Sequence, residues 1–296
     1  MKRLKRRRQR NVWKGADKVD IHDLLSSFID QASPEASRFL CRIWKDQQKA
    51  VTYRELYNAI MDGALDTSYL MDWQHDYSVF LTECYGPLVD QAVKSAKDAL
   101  VAQFGGFLQN PMADAIDQYI NSHGGRLIQE ISQAQYKAIN VLVRQATMTD
   151  TLTVDELARC IRPCIGLTQR QAQRVKQFYE QLRENGYSKK AALNRQASFA
   201  AKLHRERAEM IAQTEMAYAY NNGMDAVIRQ NIDQGIIAPD AEKEWSTARD
   251  ERVCPVCGQL HGEKVLEGDL FSNGVLLPPA HPNCRCAVKY HLKAQK

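Results

Sequence analysis

A cluster of cysteine and histidine residues near the C-terminus limits what this chain can fold into more than any other feature. Cys254 and Cys257 form a Cys-x-x-Cys pair, and a His-x-x-Cys-x-Cys segment follows at 281–286. Two such groups, brought together from separate loops, offer the tetrahedral sulfur and nitrogen ligands that structural Zn²⁺ takes. We therefore predict a structural zinc site built from four of these five residues: Cys254, Cys257, His281, Cys284 and Cys286.

Other interpretations of the cluster stay open from the sequence alone. The same residues would also suit a tight turn fixed by burial and hydrogen bonds, since three prolines lie within 278–282. A redox-active Cys-x-x-Cys pair is less favoured, because it needs a helix N-terminus within a βαβ unit and the surrounding sequence predicts none. His261 is a weaker candidate ligand, and neither Asp250 nor Glu263 completes a known catalytic zinc pattern.

The rest of the chain carries neither a membrane span nor a secretory signal. No window approaches 18 consecutive apolar residues, the length from which a spanning helix is suspected. The basic start is followed by VWKGADKVDIHD rather than by an apolar segment. We therefore expect no membrane partner and a reducing compartment, where a cysteine cluster indicates metal before disulfides.

A repeated helical pattern extends over residues 17–235, where apolar residues return every three or four positions. Pro34 directly follows Ser33 and predicts a helix start, because proline is favoured at the first helical position. A threonine followed three residues later by Glu or Gln predicts a capped helix start. Threonines of this kind are Thr52, Thr153 and Thr168.

The pattern changes near residue 240, beyond which helical periodicity disappears and short segments such as KVL and AVKYHL follow. A module of this size cannot bury a large apolar core, so it needs an additional cross-link to be stable. We predict a mainly α fold: a helical body with a small C-terminal α+β, zinc-ribbon-like module. The predicted regions are a basic, disordered arm at 1–18, a helical N-terminal region at 19–150, a second helical region at 151–240 and the Cys/His module at 241–296.

Positive charge is concentrated in two segments. Residues 1–18 contain nine Lys or Arg and one acid, although the whole chain has a formal net charge of only +5. Residues 168–207 contain ten Lys or Arg and three Glu. Such segments bind acidic protein surfaces, or neutralise DNA phosphates without reading the base sequence. Possible DNA contacts in the arm are Lys2, Arg3, Lys5, Arg6, Arg7, Arg8 and Arg10.

Two blocks of the sequence resemble a known family. Residues 166–223 contain a GLT helix start, an R-A-x-x-I-A-x-T-E run and an A-Y-N-x-G run. The second block is TARDERVCPVCGQLHG at 247–262 with PPAHPNCRC at 278–286. Both are similar to the signature of the phage Mu F-like minor head proteins, also called phage head morphogenesis proteins. The motif residues that we take from the first block are Arg207, Thr214, Glu215, Asn221 and Gly223.

The resemblance implies a virion structural protein and not an enzyme. Proteins of that family enter the prohead with the portal and contribute to head morphogenesis and to DNA packaging or delivery. It therefore implies a place in the head interior or at the portal vertex, assembly in the host cytoplasm, and portal, head or scaffold proteins as partners. It implies no small-molecule substrate.

Two alternative functions are a zinc-stabilised nucleic-acid-binding protein and a metal-dependent nuclease or toxin. The first would bind nucleic acid with a strong dependence on salt and without any phage partner. The second would need a separate metal-activating histidine pair, and the sequence offers no assignable pair. The sequence therefore favours the structural head protein over both.

Overall fold

Helices make up most of the described chain. The computed structural model describes residues 20–105, 108–109, 113–146 and 152–292, so the predicted arm at 1–18 lies outside the described residues. The helices are α1 (Ile21–Ala50), α2 (Tyr53–Asp62), α3 (Ser68–Phe80), α4 (Gly86–Phe104), α5 (Ala113–Ala146), α6 (Val154–Ile161), α7 (Gln169–Glu184), α8 (Lys189–Asp233) and α9 (Pro255–Leu260), with a π-helical turn at Leu81–Tyr85 and a 3₁₀ turn at Arg162–Cys164.

Three short strands follow the long helices and form one antiparallel sheet. They are β1 (Glu242–Ser246), β2 (Lys264–Leu266) and β3 (Ala287–His291), in the spatial order β2-β1-β3. This architecture confirms the predicted fold class, which is mainly α with a small C-terminal α+β module. None of the described helices combines the length and the apolar character that a membrane crossing requires.

The predicted capping threonines begin three of the helices. Thr52 and Thr168 form full capping boxes, in which each threonine exchanges hydrogen bonds with the residue three positions further on. Thr153 accepts the N–H of Glu156 at 3.3 Å. The carboxylate of Glu156 does not complete a capping box, because it pairs with Arg183 at 3.2 Å. The local signals therefore predict these helix starts correctly.

Helix α1 shows that one predicted helix start is wrong. Pro34 lies inside α1, which runs without a break over Ile21–Ala50. A proline in a helix interior removes a backbone hydrogen bond and costs about 3 kcal/mol. Ala32, Ala36 and Leu40 are all buried and lie four residues apart. This apolar stripe crosses the proline, and burial of the stripe stabilises the helix on both sides of it.

The described chain divides into two compact units, and neither is a continuous segment. The first comprises the described residues within 1–31, 88–116 and 213–296, and the second comprises those within 32–87 and 117–212. Helix α8 contributes residues to both units. The domain boundaries expected near 150 and 240 stay predictions, because a division into compact units does not test them.

Arg207, the first residue of the R-A-x-x-I-A-x-T-E run, packs against Trp44 in the second unit. Arg207 is 4% exposed, donates a hydrogen bond to the carbonyl of Gly166, and places its guanidinium carbon 5.3 Å from the centroid of the Trp44 ring. Gly166 has a φ of +93°, and a Cβ on it would lie 2.5 Å from the same ring. Glycine and arginine at these positions therefore serve the packing of this unit.

In the first unit, the sheet encloses a small core that includes cysteines. Lys243 of β1 pairs with Val265 of β2 on one side and with Tyr290 of β3 on the other. Trp245 of β1 is fully buried and packs edge-on against Phe271, with ring centroids 5.1 Å apart. Residues of the Cys/His cluster complete this core, and they are Cys257, Cys284 and Cys286.

Helix α4 approaches α8 closely in the same unit, and Gly223 makes the approach possible. A Cβ on Gly223 would lie 2.9 Å from the backbone Cα of Val93. Real Cβ atoms do not come that close, and a backbone atom cannot yield as a flexible side-chain tip can. The last residue of the A-Y-N-x-G run therefore has a steric reason to be glycine.

Overpacking costs about 1–3 kcal/mol, and a clash with backbone lies toward the upper end of that range. Alanine gains roughly 1 kcal/mol over glycine in a helix, so we expect Gly223→Ala to lower the free energy of unfolding by about 1–2 kcal/mol. Chemical denaturation of the wild type and the variant measures the difference. The control is Gly258→Ala in α9, where the nearest atom to the new Cβ is 4.0 Å away. Equal stability of Gly223→Ala and wild type would disprove the close packing.

Candidate metal centre

The short helix α9 places the first two cysteines of the cluster. Cys254 is its N-cap, Pro255 occupies the first helical turn, and the sulfur of Cys254 accepts the backbone N–H of Cys257 at 3.3 Å. A helix of six residues shows no apolar periodicity, so periodicity does not locate it within the predicted α+β module. The available signal is a proline directly after a capping side chain. The helical turn brings both sulfurs to one side of the loop.

The other three donors come from the loop that leads into β3. Asn283 has a φ of +59°, in the left-handed region. The N–H of Cys284 donates to the carbonyl of His281 at 3.1 Å. This backbone bond closes a tight turn between the two donors, and β3 begins at Ala287, directly after Cys286. Pairing of β3 with β1 then fixes the end of the loop.

The two groups of donors meet around the sulfur of Cys257. Nε2 of His281 lies 3.1 Å from Sγ of Cys254 and 3.3 Å from Sγ of Cys257, which lies 3.8 Å from Sγ of Cys284. The donors form two sets, Cys254/Cys257/His281 and Cys257/Cys284/Cys286, with all atoms of each set within 4.8 Å of one another. The structure thus places the five predicted ligands in two sets that share Cys257, and the cluster could hold a metal ion.

The space between these donors suits one ion. They line a cavity of about 20 Å³, together with residues of the neighbouring loops. That volume is close to the minimum that one water-sized sphere requires. Sulfur and imidazole donors without a carboxylate are characteristic of sites for zinc and similar soft metal ions.

A backbone carbonyl orients the imidazole of His281. Nδ1 lies 2.9 Å from the carbonyl oxygen of Pro282, so we assign the ring proton to Nδ1 and the lone pair to Nε2. Histidines that bind metals commonly donate their second ring N–H in this way. Burial opposes the charged imidazolium, but the Pro282 carbonyl and the charge of nearby thiolates raise the pKa of His281.

Burial and hydrogen bonds within the cluster shift the pKa values of the cysteine thiols in opposite directions. The hydrogen bond between Cys284 and Cys286 lowers the pKa of Cys284 to about 5 and raises the pKa of Cys286. Burial raises the pKa of Cys257 to about 12, while the backbone N–H of Cys257 lowers the pKa of Cys254. Because the thiolate is the form that binds metal, an ion in this site would displace protons from the more buried thiols.

Polar residues near the cluster are engaged in structural hydrogen bonds. Asp250 accepts bonds from Arg285 at 2.6 and 2.9 Å and from Arg252 at 2.9 Å. The Arg285 guanidinium holds the pKa of Asp250 well below its usual range. His261 lies 3.1 Å from the Thr247 hydroxyl and belongs to neither donor set among the described residues. The sequence did not predict this ion pair between Asp250 and Arg285, which joins the segment before α9 to the loop before β3.

Helix α8 supplies further bonds to the loop and to β3. Thr214 Oγ1 accepts the N–H of Asn283 at 3.0 Å. Asn221 Oδ1 accepts the N–H of Val288 at 3.0 Å. Glu215 is also buried on this helix, with 8% of its surface exposed. Two of the motif residues therefore contact the Cys/His module directly.

The structure bears only on the second of the two basic segments. The candidate DNA contacts Lys2, Arg3, Lys5, Arg6, Arg7, Arg8 and Arg10 lie outside the described residues. Five cations of the 168–207 segment are paired with carboxylates or buried, namely Lys176, Arg183, Lys189, Lys202 and Arg207. The exposed cations of this segment are Arg170, Arg174, Lys190, Arg195, Lys202 and Arg205.

The fold and the site together define a mainly helical protein with a C-terminal Cys/His module that can hold a metal ion. The family model described as Phage Mu protein F like protein matches residues 143–289, about half of the chain, and this stretch includes both donor groups. The chain therefore belongs to the phage Mu protein F like family, which makes it a phage head morphogenesis protein with a place in the virion. No curated protein and no solved structure matches the chain.

A buried carboxylate connects α8 with the last strand of the module. Asp225 accepts a hydrogen bond from the Tyr290 hydroxyl at 2.7 Å and pairs with Arg229 at 2.8 Å. Burial raises the pKa of Asp225 to about 6, although Arg229 opposes the shift. In the unfolded chain this carboxyl has an ordinary pKa near 3.9. Folding therefore favours the protonated form.

The stabilising contribution of this protonation is fully present below pH 4 and is lost as pH rises through about 6. We expect the free energy of unfolding of the wild type, minus that of Asp225→Asn, to fall by about 1 kcal/mol between pH 5 and pH 7. Urea denaturation at both pH values measures it. The control is Asp233→Asn, at the exposed end of the same helix. A difference that does not change with pH would contradict the raised pKa.

Proposed function

We propose that the chain is a minor head protein of a tailed bacteriophage that acts with the portal in head morphogenesis and in DNA packaging or delivery. The observation that carries this proposal is the family match over residues 143–289. The match includes the T-E and A-Y-N-x-G runs of α8 and the whole Cys/His cluster, which belong to one compact unit. The similarity thus covers segments of α8 and of the Cys/His module that contact each other, and not a single short motif.

For the metal, we propose one structural Zn²⁺ ion bound by Cys254, Cys257, His281 and Cys284. Bonds of about 2.3 Å to two sulfurs of a tetrahedron place those sulfurs about 3.8 Å apart. The sulfurs of Cys257 and Cys284 are 3.8 Å apart. Zinc would cross-link the α9 loop to the loop before β3. Cys286 is the alternative fourth ligand.

The surroundings of the cluster support a structural role over a catalytic one. A catalytic zinc keeps one open position and a general acid or base beside it. Here two sets of three protein donors share Cys257, and the neighbouring carboxylate of Asp250 is held by two arginines. Glu263 accepts bonds from the N–H and the hydroxyl of Ser272, both at 2.7 Å.

We expect protein purified under reducing conditions without chelator to contain about one zinc ion per chain. Elemental analysis of single Cys→Ser variants identifies the ligands. Cys254→Ser, Cys257→Ser and Cys284→Ser should lose the metal, and Cys286→Ser should keep it. Hydrogen exchange in a strong chelator should show lost protection within residues 245–290, because metal binding is coupled to folding.

The matched control for these variants is Cys41→Ser, which removes a partly buried thiol of the second unit, outside the cluster. It should keep a full equivalent of zinc. Loss of metal from Cys286→Ser with retention in Cys284→Ser would make Cys286 the fourth ligand. Wild-type protein free of metal would disprove the site.

We further propose that the basic arm contacts packaged DNA through its phosphates. Seven Lys or Arg lie within the first ten residues. Exposed cations of α7 and the first part of α8 extend the positive charge of the chain. Contacts of this kind are independent of base sequence and weaken steeply with salt. Acidic surfaces of portal or scaffold proteins are the competing partner for the same charge.

The head-protein proposal predicts that a tagged chain, expressed during infection by its phage, sediments with proheads that contain portal. Immunoblots of gradient fractions measure this, and nuclease treatment before the gradient should not release the chain. Cys257→Ser should be depleted from proheads and Cys41→Ser should not. A chain that stays at the top of the gradient while proheads form would overturn the proposal. Release by nuclease would favour a nucleic-acid-binding protein instead.

A variant without residues 1–18 separates the two roles of the arm in the same experiment. If the arm contacts DNA, the shortened chain should still enter proheads, and the heads should package or deliver less DNA. If the shortened chain fails to enter proheads, the arm binds protein, and its assignment to DNA is wrong.

A further inference from the structure

One face of α8 presents polar side chains to the Cys/His module. Thr214, Asn221 and Asp225 are separated by seven and four residues, so they lie on one side of the helix. Each makes a hydrogen bond to the loop before β3 or to β3 itself. The helix therefore contacts the module through a row of polar side chains.

Thr214 holds the turn that sets the spacing between two donors. Its Oγ1 accepts the N–H of Asn283 at 3.0 Å. Asn283 adopts a left-handed φ of +59° and lies directly before Cys284 and two residues after His281. Non-glycine residues adopt this conformation at a cost, so a bond to the backbone N–H helps to keep the turn in place.

Asn221 holds the other end of the same loop. Its Oδ1 accepts the N–H of Val288 at 3.0 Å, and its Nδ2 donates to the carbonyl of Cys286 at 3.4 Å and to the carbonyl of Ala217 at 2.9 Å. The side chain is fully buried. The amide thus bonds to the backbone on both sides of Ala287, as a neighbouring strand would. Loss of this amide would leave buried backbone groups unpaired.

We propose that Thr214 and Asn221 are positioning residues of the metal site, which couple metal binding to the order of α8. Neither residue supplies a ligand. They bond to the backbone at Asn283, Cys286 and Val288, and the course of this backbone sets where the neighbouring donor side chains point. The inference rests on the proposed metal site. Outer partners of this kind commonly change metal affinity by about 10–100-fold when they are removed.

The chain offers a close control in the next residue. Asn222 bonds to the carbonyl four residues before it, Tyr218, at 2.8 Å, just as Asn221 bonds to Ala217. Among the described residues, the side chain of Asn222 has no hydrogen bond to the module. A comparison of Asn221→Ala with Asn222→Ala therefore separates contact with the module from a general effect on the helix. For Thr214, Thr214→Ser keeps the hydroxyl and Thr214→Val removes it.

The test uses Co²⁺ as a spectroscopic probe of the full-length, reduced and metal-free chain. Thiolate-to-cobalt absorption reports binding, and competition with a chelator gives the affinity. We expect Thr214→Val and Asn221→Ala to weaken Co²⁺ binding by about 10-fold or more. Thr214→Ser and Asn222→Ala should bind like the wild type. The ligand-field bands of the first two variants should also shift, because the donors are displaced.

A merely structural role would lower stability equally with and without metal and leave the Co²⁺ affinity unchanged. Wild-type affinity in helical, folded Thr214→Val and Asn221→Ala would therefore overturn the inference. If Asn221→Ala does not fold, Thr214→Val decides, since it removes one hydroxyl from a half-buried position. Wild-type protein that binds no Co²⁺ would refute the metal site itself and this inference with it. The two failures are thus distinguishable.

Discussion

The meeting of two loops at the sulfur of Cys257 is the contact on which the C-terminal module depends. No strand of its sheet is longer than five residues. Sheets this small are marginally stable unless they pack against something else. The core of the module is built from Trp245, Phe271 and the cysteines themselves. The cluster is therefore part of the packed core. The hydrogen bonds from α8 add stability that so small a sheet lacks by itself.

The sequence allows prediction of those features that arise within a few residues of one another. The capping threonines Thr52, Thr153 and Thr168 all begin helices, because a cap involves only the first helical turn. The five donors are recognisable because few residue types bind metal and their spacing is short. The same local reasoning fails at Pro34, where burial along α1 outweighs the preference of proline for a helix start.

Local sequence patterns do not predict contacts between residues that are far apart in the chain. Asp250 and Arg285 are separated by 35 residues, and nothing in either segment identifies the other as its partner. The two compact units are discontinuous for a related reason. Helix α8 is one regular element, and its periodicity gives no indication that its residues pack into different units.

The structure gives a physical meaning to the two blocks of family similarity. Thr214 and Asn221 of the first block bond to Asn283 and Val288, in and just beyond the second. The two blocks thus lie far apart in the sequence but contact each other in the structure. Arg207, at the start of the first block's R-A-x-x-I-A-x-T-E run, makes a different contact, because it packs on Trp44 in the second unit.

Because the first unit combines early and late segments of the chain, it can form only late in synthesis. His22 in α1 bonds to the Ser246 hydroxyl at 2.8 Å across 224 positions, and Asn221 bonds to Val288 across 67. Every residue of the second unit leaves the ribosome before residue 213. The unit with the metal donors closes only after β3 has emerged, because β3 supplies its last contacts. A nascent chain therefore displays a finished Cys/His module only after residues 287–291 have left the ribosome.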